Sequence, residues 1–332
     1  MGIVVASVIQ PLSTQYKLGL QLNALTLALE SSREDERSKR LETIDQVHRA
    51  YYAIVEAQSQ LDSLKASLPL YTESSRLAVE NRKTETILES DLQRADAQLL
   101  RIQSSISDAT DQFAAAAEKL NDLMGREIHT RFRVAAIKVV LEELETPEEL
   151  EKRALQNRPD LKKARLQVRQ AEYDRRAKKA EYIPDVSLAL NYVTTVNFGN
   201  VLPSNITSAG LYLTWEPWDW GRKRHEIAGK QAQEDQAKVA VESAGRAILL
   251  EVRNSWRQVA MTRRQLAVSE SNQRVLRQKL KEIQDQFKQE AVLAKDMYSA
   301  QSDLASADSQ YQQALTAFWK ARADLKKAIG EE

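Results

Sequence analysis

The chain contains no cysteine in its 332 residues, so no disulfide, thiolate nucleophile or cysteine-held zinc enters its chemistry. That absence suits a reducing and an oxidising compartment alike, and it locates nothing. Histidine is scarce too: His48, His129 and His225 lie far apart. With no Ser/His/Asp set, glycine-rich phosphate loop or metal-spaced His/Glu group, the residues argue against an enzyme and offer no cofactor or metal site. Only 9 Gly and 7 Pro break the chain, which predicts long uninterrupted elements, mostly helical. Neither sign of charge prevails, because 48 Lys and Arg against 47 Asp and Glu leave a net +1. No global field therefore draws nucleic acid or an anionic membrane. Long apolar runs are missing as well. The richest, VAAIKVVL at 134–141, falls far short of the roughly 20 residues of a membrane-spanning helix, which excludes a helical membrane protein. The opening MGIVVASVIQPL lacks the basic start, longer apolar core and cleavage site of a signal peptide, and it alternates like a strand. Either the protein is not exported, or the natural chain begins elsewhere.

What is present is helix. Polar, alanine-rich tracts run over about 22–81, 87–124, 219–289 and 292–329, the first two interrupted only by Pro69. Leu276, Leu280, Ile283 and Phe287 show the 4, 3, 4 spacing of a coiled-coil seam. At about 1.5 Å per residue the third tract would reach on the order of 100 Å, a length that suits fibres, hairpin stalks and tunnels.

The two helical pairs are copies of each other. A shift of 205 residues places Val47 on Val252, Leu61 on Leu266, Lys83 on Lys288 and Asp91 on Asp296. The same register continues through Phe113 and Phe318, Leu120 and Leu325, and Gly125 and Gly330. Coincidence of residues as rare as Phe and Gly over one register points to duplication. The expected organisation is a first repeat over 1–126, with one strand and a helical hairpin, N-terminally incomplete; a connector over 127–147; and a second repeat over 148–332. The second repeat holds short helices, a β-hairpin over 184–217 and a helical hairpin over 218–330. A strand ending in proline precedes each helical pair, VVASVIQPL and LYLTWEPW. In the hairpin Val186, Leu188, Leu190 and Tyr192 share one face while Asp185, Ser187 and Asn191 share the other, and NFGNVLPSN at 197–205 supplies turn residues. Leu211, Leu213 and Trp215 alternate in the same way with Tyr212, Thr214 and Glu216, so the hairpin reads as one apolar and one mixed face.

NRPDL at 157–161, YIPDVSLALNY at 182–192, LYLTWEPWDWGR at 211–222, EVRNSW at 251–256 and the closing DMYSAQSDLASADSQYQQALTAFWKARADLKKAIG resemble the TolC, or outer-membrane efflux protein, family. With the tandem duplication the resemblance covers nearly the whole chain. It implies a mainly α protein with a small β portion, whose long hairpins form a periplasmic α-barrel and whose strands join a shared trimeric outer-membrane β-barrel. It also implies a homotrimer in the outer membrane of a Gram-negative bacterium, extending into the periplasm. Partners would be outer-membrane lipid, a periplasmic adaptor protein and an inner-membrane transporter. The expected function is a passive exit duct of a tripartite efflux pump or type I secretion system. A soluble or periplasmic coiled-coil scaffold and a periplasmic adaptor are the alternatives; the scaffold needs no wet-faced β-hairpin, and adaptors usually carry one helical hairpin where this chain carries two.

Tyr192, Tyr212, Trp215, Trp218 and Trp220 then suit an aromatic girdle at the membrane interface; the plainer alternative is a soluble aromatic core. The hairpin tips, Arg82, Glu85, Thr86 and Leu88 in the first copy and Phe287, Glu290, Val292 and Leu293 in the second, would contact the adaptor. Asp91 and Asp296 would ring the pore aperture, or serve simply as acids at a helix N-terminus. The family's turn glycines are replaced by Glu85 and Glu290 and its Ser or Thr caps by Leu88 and Leu293, while Thr86 with Glu89 can form a displaced capping box. Phe287 and Val292 stand where some members carry a tyrosine and an arginine that latch the channel, so such a latch is not expected. GRKRH at 221–225 reads as a solvated helix start rather than a phosphate patch. If the first copy matched the second fully, a counterpart of 146–207, with its strand, would precede Met1. Residues 1–332 alone are then expected to keep their helices but not to insert as a conducting trimer, since descending strands would meet at each subunit junction.

Overall fold

The computed structural model describes residues 2–84, 88–131, 144–196, 205–289 and 291–331. Its elements are β1 (Gly2–Pro11), α1 (Thr14–Lys83), α2 (Glu89–Leu123), α3 (Pro147–Asn157), α4 (Pro159–Lys179), β2 (Asp185–Val196), β3 (Asn205–Thr214), α5 (Arg222–Lys288) and α6 (Ala294–Ile329). The apolar run at 134–141 and the turn at 197–204 lie outside the described residues. Among the described residues no helix is long and apolar enough to cross a membrane.

Helix α1 starts eight residues earlier than the sequence suggests. Leu18, Leu20 and Leu22 alternate with Gly19 and Gln21, a period of two that hides the helix. It also runs through Pro69 without ending, although that residue has no N–H to give the Lys65 carbonyl. The last strand, expected over 207–217, stops instead at Thr214. Thr214 pairs with Asp185, the first residue of β2, so the next partner for Trp215 would be Pro184, which has no N–H to donate.

By contacts the chain divides into two compact units, one of residues 1–38 with 158–247 and one of 39–157 with 248–332. The first unit holds a three-stranded sheet in the order β1-β2-β3, antiparallel throughout. The register gathers Val4, Ala6 and Val8, then Val186, Leu188, Leu190 and Tyr192, then Ala209, Leu211 and Leu213 on one face. The opposite face carries Ser7, Ser187, Asn191, Ser208, Gly210 and Tyr212 among Val5, Ile9 and Val193. Alternation along β2 and β3 predicts this split, and pairing extends it to β1. Ser13 seats the sheet on the start of α1: its Oγ accepts the Val186 N–H at 2.8 Å, while Lys17 Nζ reaches Asp185 at 2.6 Å. Arg175–Glu234 and Lys178–Glu226, both 2.7 Å, pin α4 to α5.

In the second unit Ile54, Val252, Val259, Leu266, Leu315 and Phe318 are buried between the long helices. Helix α3 packs on α6 through Leu150 and Ala154, both fully buried. The EVRNSW motif of α5 secures this packing: Trp256 Nε1 donates to the Glu145 carbonyl at 3.0 Å and Arg253 pairs with Glu151. At the α3–α4 break Pro159 opens α4 in the position that tolerates a missing N–H, and Arg158 pairs with Asp160 at 2.8 Å.

The two copies end alike. Gly125 and Gly330 are both left-handed, with φ of 64° and 82°. In the first copy Gly125 N–H bonds Asp122 O and Arg126 N–H bonds Asn121 O; in the second Gly330 bonds Lys327 and Glu331 bonds Lys326. Both are Schellman terminations, which favour a glycine because a Cβ is strained at positive φ.

Candidate functional site

Two regions carry the residues singled out in the sequence: the junction of the sheet with α5, and the hairpin tips. At the junction β1 and β3 both leave the sheet at the end where Pro11 and Thr214 lie, and pass into α1 and α5. Between β3 and α5 the backbone turns sharply. Trp220 adopts φ 55° and Gly221 φ 82°, and a left-handed tryptophan is strained unless its surroundings hold it. Asp219 supplies that hold, accepting the Lys223 N–H at 2.9 Å and the Gly221 N–H at 3.1 Å. The spacing Asp219-Trp220-Gly221 is a side-chain turn signal that a reading for aromatics passes over.

The Lys223 amide above all holds the Asp219 carboxyl below the usual aspartate range. A carboxyl depressed on folding stabilises fully above its unfolded value, and that contribution is lost as pH falls through the folded value. The start of α5 is therefore expected to fray below roughly pH 4. Hydrogen exchange at the Arg222 to His225 amides, corrected for intrinsic rates, should accelerate at low pH in the native protein and show no such acid-linked step in Asp219→Ala. A pH-independent protection in the native protein would rule out the cap.

Lys223 corrects the reading of GRKRH as a wholly solvated cluster. It is buried, with its Nζ 3.0 Å from the Glu216 carbonyl and 5.8 Å from the Tyr182 ring centroid. Glu216, seven residues before it, and Tyr182 both lie outside the cluster, so the cluster itself gave no sign of the burial. Arg224 and His225 are exposed, as expected, and Arg222 is exposed while paired with Glu216 and Glu226.

The aromatics divide by face. Tyr192 lies on the apolar face, and Tyr212 on the opposite, mixed face beside Gly210. Trp215, Trp218 and Trp220 follow β3 and are all exposed, with Trp218 and Trp220 in an edge-to-face pair 6.1 Å apart.

At the tips the copies again correspond. Leu88 and Leu293 occupy the cap positions of α2 and α6 with nearly equal dihedrals, φ −75°, ψ 155° and φ −81°, ψ 156°. Both side chains are exposed, at 71% and 72%, and neither has an atom able to cap. Asp91 and Asp296 therefore stand at the same place in the first turn, where an acid favours the helix dipole. Their contacts differ. Asp296 accepts the Leu293 N–H at 3.2 Å, one arm of a capping box, whereas Asp91 faces Arg94 at 3.4 Å. Glu85, Thr86 and Glu290 lie outside the described residues. Glu89 meets Arg82 across the tip at 3.0 Å, and the capping box expected of it with Thr86 lies outside the described residues. Phe287 is partly exposed and Val292 half-buried.

The family described as Outer membrane efflux protein matches residues 150–331. No curated protein matches the chain. Among solved structures the chain is similar to the CmeC outer membrane channel of Campylobacter jejuni, with TM-score 0.80 and 17% identity over 98% of this chain and 70% of that one. It is also similar to the open state of the MtrE outer membrane channel of Neisseria gonorrhoeae, with TM-score 0.76 and 17% identity over 99% and 80%. The outer membrane protein VceC of Vibrio cholerae aligns with TM-score 0.75 and 13% identity over 99% and 86%. At such identities the likeness to these structures is one of fold.

Proposed function

This chain belongs to the outer membrane efflux protein family, and we propose on that premise how its strands and helices build an exit duct. The protein is the outer-membrane part of an efflux pump, reaching into the periplasm. The observation that carries the details is a sheet with one apolar and one mixed face, whose outer strands pass at the same end into long helices. Such a sheet suits a barrel with lipid outside and water within. We place three copies in the duct, with β1, β2 and β3 of each among the strands of the barrel and the two helical hairpins of each in the tunnel. The repeats over 1–126 and 148–332, joined by 127–147, supply one hairpin each. Substrate passes without catalysis, driven by an inner-membrane transporter and joined to it by an adaptor.

The apolar face turns to lipid. Tyr192 marks its outer rim and Trp215 its helix-side rim, eight residues apart by extension of the register. At about 3.3 Å per residue that separation is roughly 26 Å along the strand, close to the roughly 25 Å apolar band of such barrels. Trp218 and Trp220 continue the helix-side girdle, while Tyr212 faces the water side.

The tips carry adaptor contact and aperture. Arg82, Leu88, Phe287, Val292 and Leu293 present a largely exposed rim, and the flanking Glu85, Thr86 and Glu290 belong to the same breaks in the sequence. Asp296, which accepts the Leu293 N–H where Asp91 faces Arg94, carries most of the acidic aperture, Asp91 the remainder. Three inward acids attract cations and repel anions. In planar bilayers the Asp296→Asn protein should lose much of its cation selectivity, read as a reversal potential moving toward zero in a salt gradient. An unchanged reversal potential would place Asp296 away from the pore.

A further inference from the structure

Helix α4 is held on two flanks and open on a third. Arg175 with Glu234 and Lys178 with Glu226 face α5, and Lys163 with Asp35 at 2.7 Å faces α1. Lys162, Arg165, Arg169, Arg176 and Lys179 share the remaining side, at spacings of three, four, seven and three residues that keep one stripe at about 100° per residue. The last four are exposed. Glu172 is the one acid in the stripe, and Arg176 holds it at 2.5 Å.

The strand-side end of the stripe meets a cation of α5. The α4–α5 pairs climb one helix as they descend the other, so the two helices run antiparallel. On α4, Lys179 and Arg176 lie about 70° and 130° ahead of the direction of Arg175 and Lys178; on α5, Arg224 lies about 120° ahead of that of Glu226 and Glu234. In antiparallel neighbours the same sense of rotation leads to the same side, so the three cations share it. The Lys178–Glu226 pair sets their level, with each within about 3 Å of it along the axis. Among the described residues Lys179 and Arg224 have no side-chain partner. The carboxylates around them are engaged: Glu181 and Glu226 by Lys178, Glu216 by Arg222 and Lys223, and Asp185 by Lys17.

This side continues the apolar face of the sheet. Val186, on that face, gives its carbonyl to the Leu12 N–H and its N–H to Ser13. With L-residues this puts β1 and α1 to the right when the apolar face is viewed with β2 rising. Viewed from the basic stripe with the same end up, Asp35 of α1 again lies to the right of α4, and Glu234 of α5 to the left.

We propose that Arg176, Lys179 and Arg224 form a docking surface for anionic phospholipid headgroups of the periplasmic leaflet. It rests on the reading of the apolar face as turned to lipid. The register sets Trp215 opposite Pro184 at the helix-side rim, and Lys179 and Arg176 stand five and eight residues below that proline. Long cationic side chains rise from there into the headgroup layer, which is about 5–7 Å deep on each side of a bilayer. Tyr182, Trp218 and Trp220, exposed at the same junction, are the amphipathic rings that such a layer favours. A zwitterionic headgroup brings its own ammonium, whereas a net negative one answers the two unpartnered cations. Arg224 by itself is a solvated charge of GRKRH; α4 makes it part of a phosphate site.

The test uses tryptophan fluorescence and lipids brominated in their acyl chains, which quench the tryptophans they touch. The native full-length protein in phosphatidylcholine vesicles should be quenched at several-fold lower fractions of brominated phosphatidylglycerol than of brominated phosphatidylcholine. The gap should narrow as salt screens the cations. Lys179→Gln with Arg224→Gln should close it and each single substitution should narrow it, while quenching in pure brominated phosphatidylcholine stays native and reports insertion. Lys179→Arg with Arg224→Lys should keep the gap. So should Arg165→Gln with Arg169→Gln, which lie at least about 15 Å below Lys179 by helical rise. Equal quenching by the two lipids in the native protein, or a gap untouched by neutralising Lys179 and Arg224, would overturn the site. A gap lost equally with Arg165 and Arg169, or abolished by soluble polyglutamate, would assign the stripe to an acidic polymer, and suppression by glycerol phosphate would assign it to free phosphate; each overturns the proposal. No quenching by either lipid would remove the lipid-facing reading of the sheet as well.

Discussion

Arginine in place of Leu190 is expected to strip the protein from the outer membrane, while arginine at the next residue, Asn191, is tolerated. Leu190 sits at the centre of the apolar face between Val8 and Ala209, and Asn191 on the opposite face between Ser7 and Ser208. A cation on the lipid side of a barrel near the bilayer midplane costs about 2–4 kcal/mol, whereas a water-side position changes selectivity with little effect on stability. The measurement is the amount of assembled protein in outer-membrane fractions, together with the denaturant midpoint in liposomes. Equal losses from the two substitutions, or the larger loss at Asn191, would reverse the assignment of faces and with it the placing of Tyr192 and Trp215.

Phe318→Ala should destabilise the helical part far more than Phe113→Ala, although the residues are equivalent in the duplication. Phe318 is 4% exposed on the face of α6 that α3 covers, beside Leu150, Leu325 and Ile329. Its truncation removes a buried ring and leaves a void that rigid helices cannot close, a loss of about 3–5 kcal/mol. A cavity of about 250 Å³ already adjoins it, so the site begins under-filled. Phe113 on α2 is only half-buried, near Ile128 and His129, and its loss is limited to about 1–2 kcal/mol of transfer. Denaturant unfolding followed by helical circular dichroism separates the two. Equal losses would mean that α2 is covered as fully as α6.

Much of this fold can be read along the chain because it is periodic. Residues 276–287 carry a coiled-coil spacing, residues 186–192 alternate, and one shift of 205 relates the helical pairs through to Gly125 and Gly330. Each of these signals is local or a comparison of the chain with itself, so no folded partner is needed to see it. The family follows from the same motifs. Where periods competed, the reading slipped: alternation at Leu18, Leu20 and Leu22 concealed the start of α1, and alternation through Trp215 prolonged β3 past Thr214.

The residues that resisted are those whose contacts their own motif does not reveal. Nothing in GRKRH distinguishes Lys223, which is buried because Tyr182 covers its stem and the Glu216 carbonyl takes its ammonium. Asp91 and Asp296 are equivalent in sequence and diverge only through Arg94 and the Leu293 amide. The sequence by itself determined the helices, the two-faced strands, the duplication and the family, because periodicity and repetition are properties of one dimension. Only the tertiary structure decided which of two equivalent faces is covered, as at Phe318 and Phe113, and which charges are joined, as Asp45 is to Lys327. Burial and pairing depend on residues hundreds of positions apart, and a repeat copies side chains without copying the neighbours that meet them.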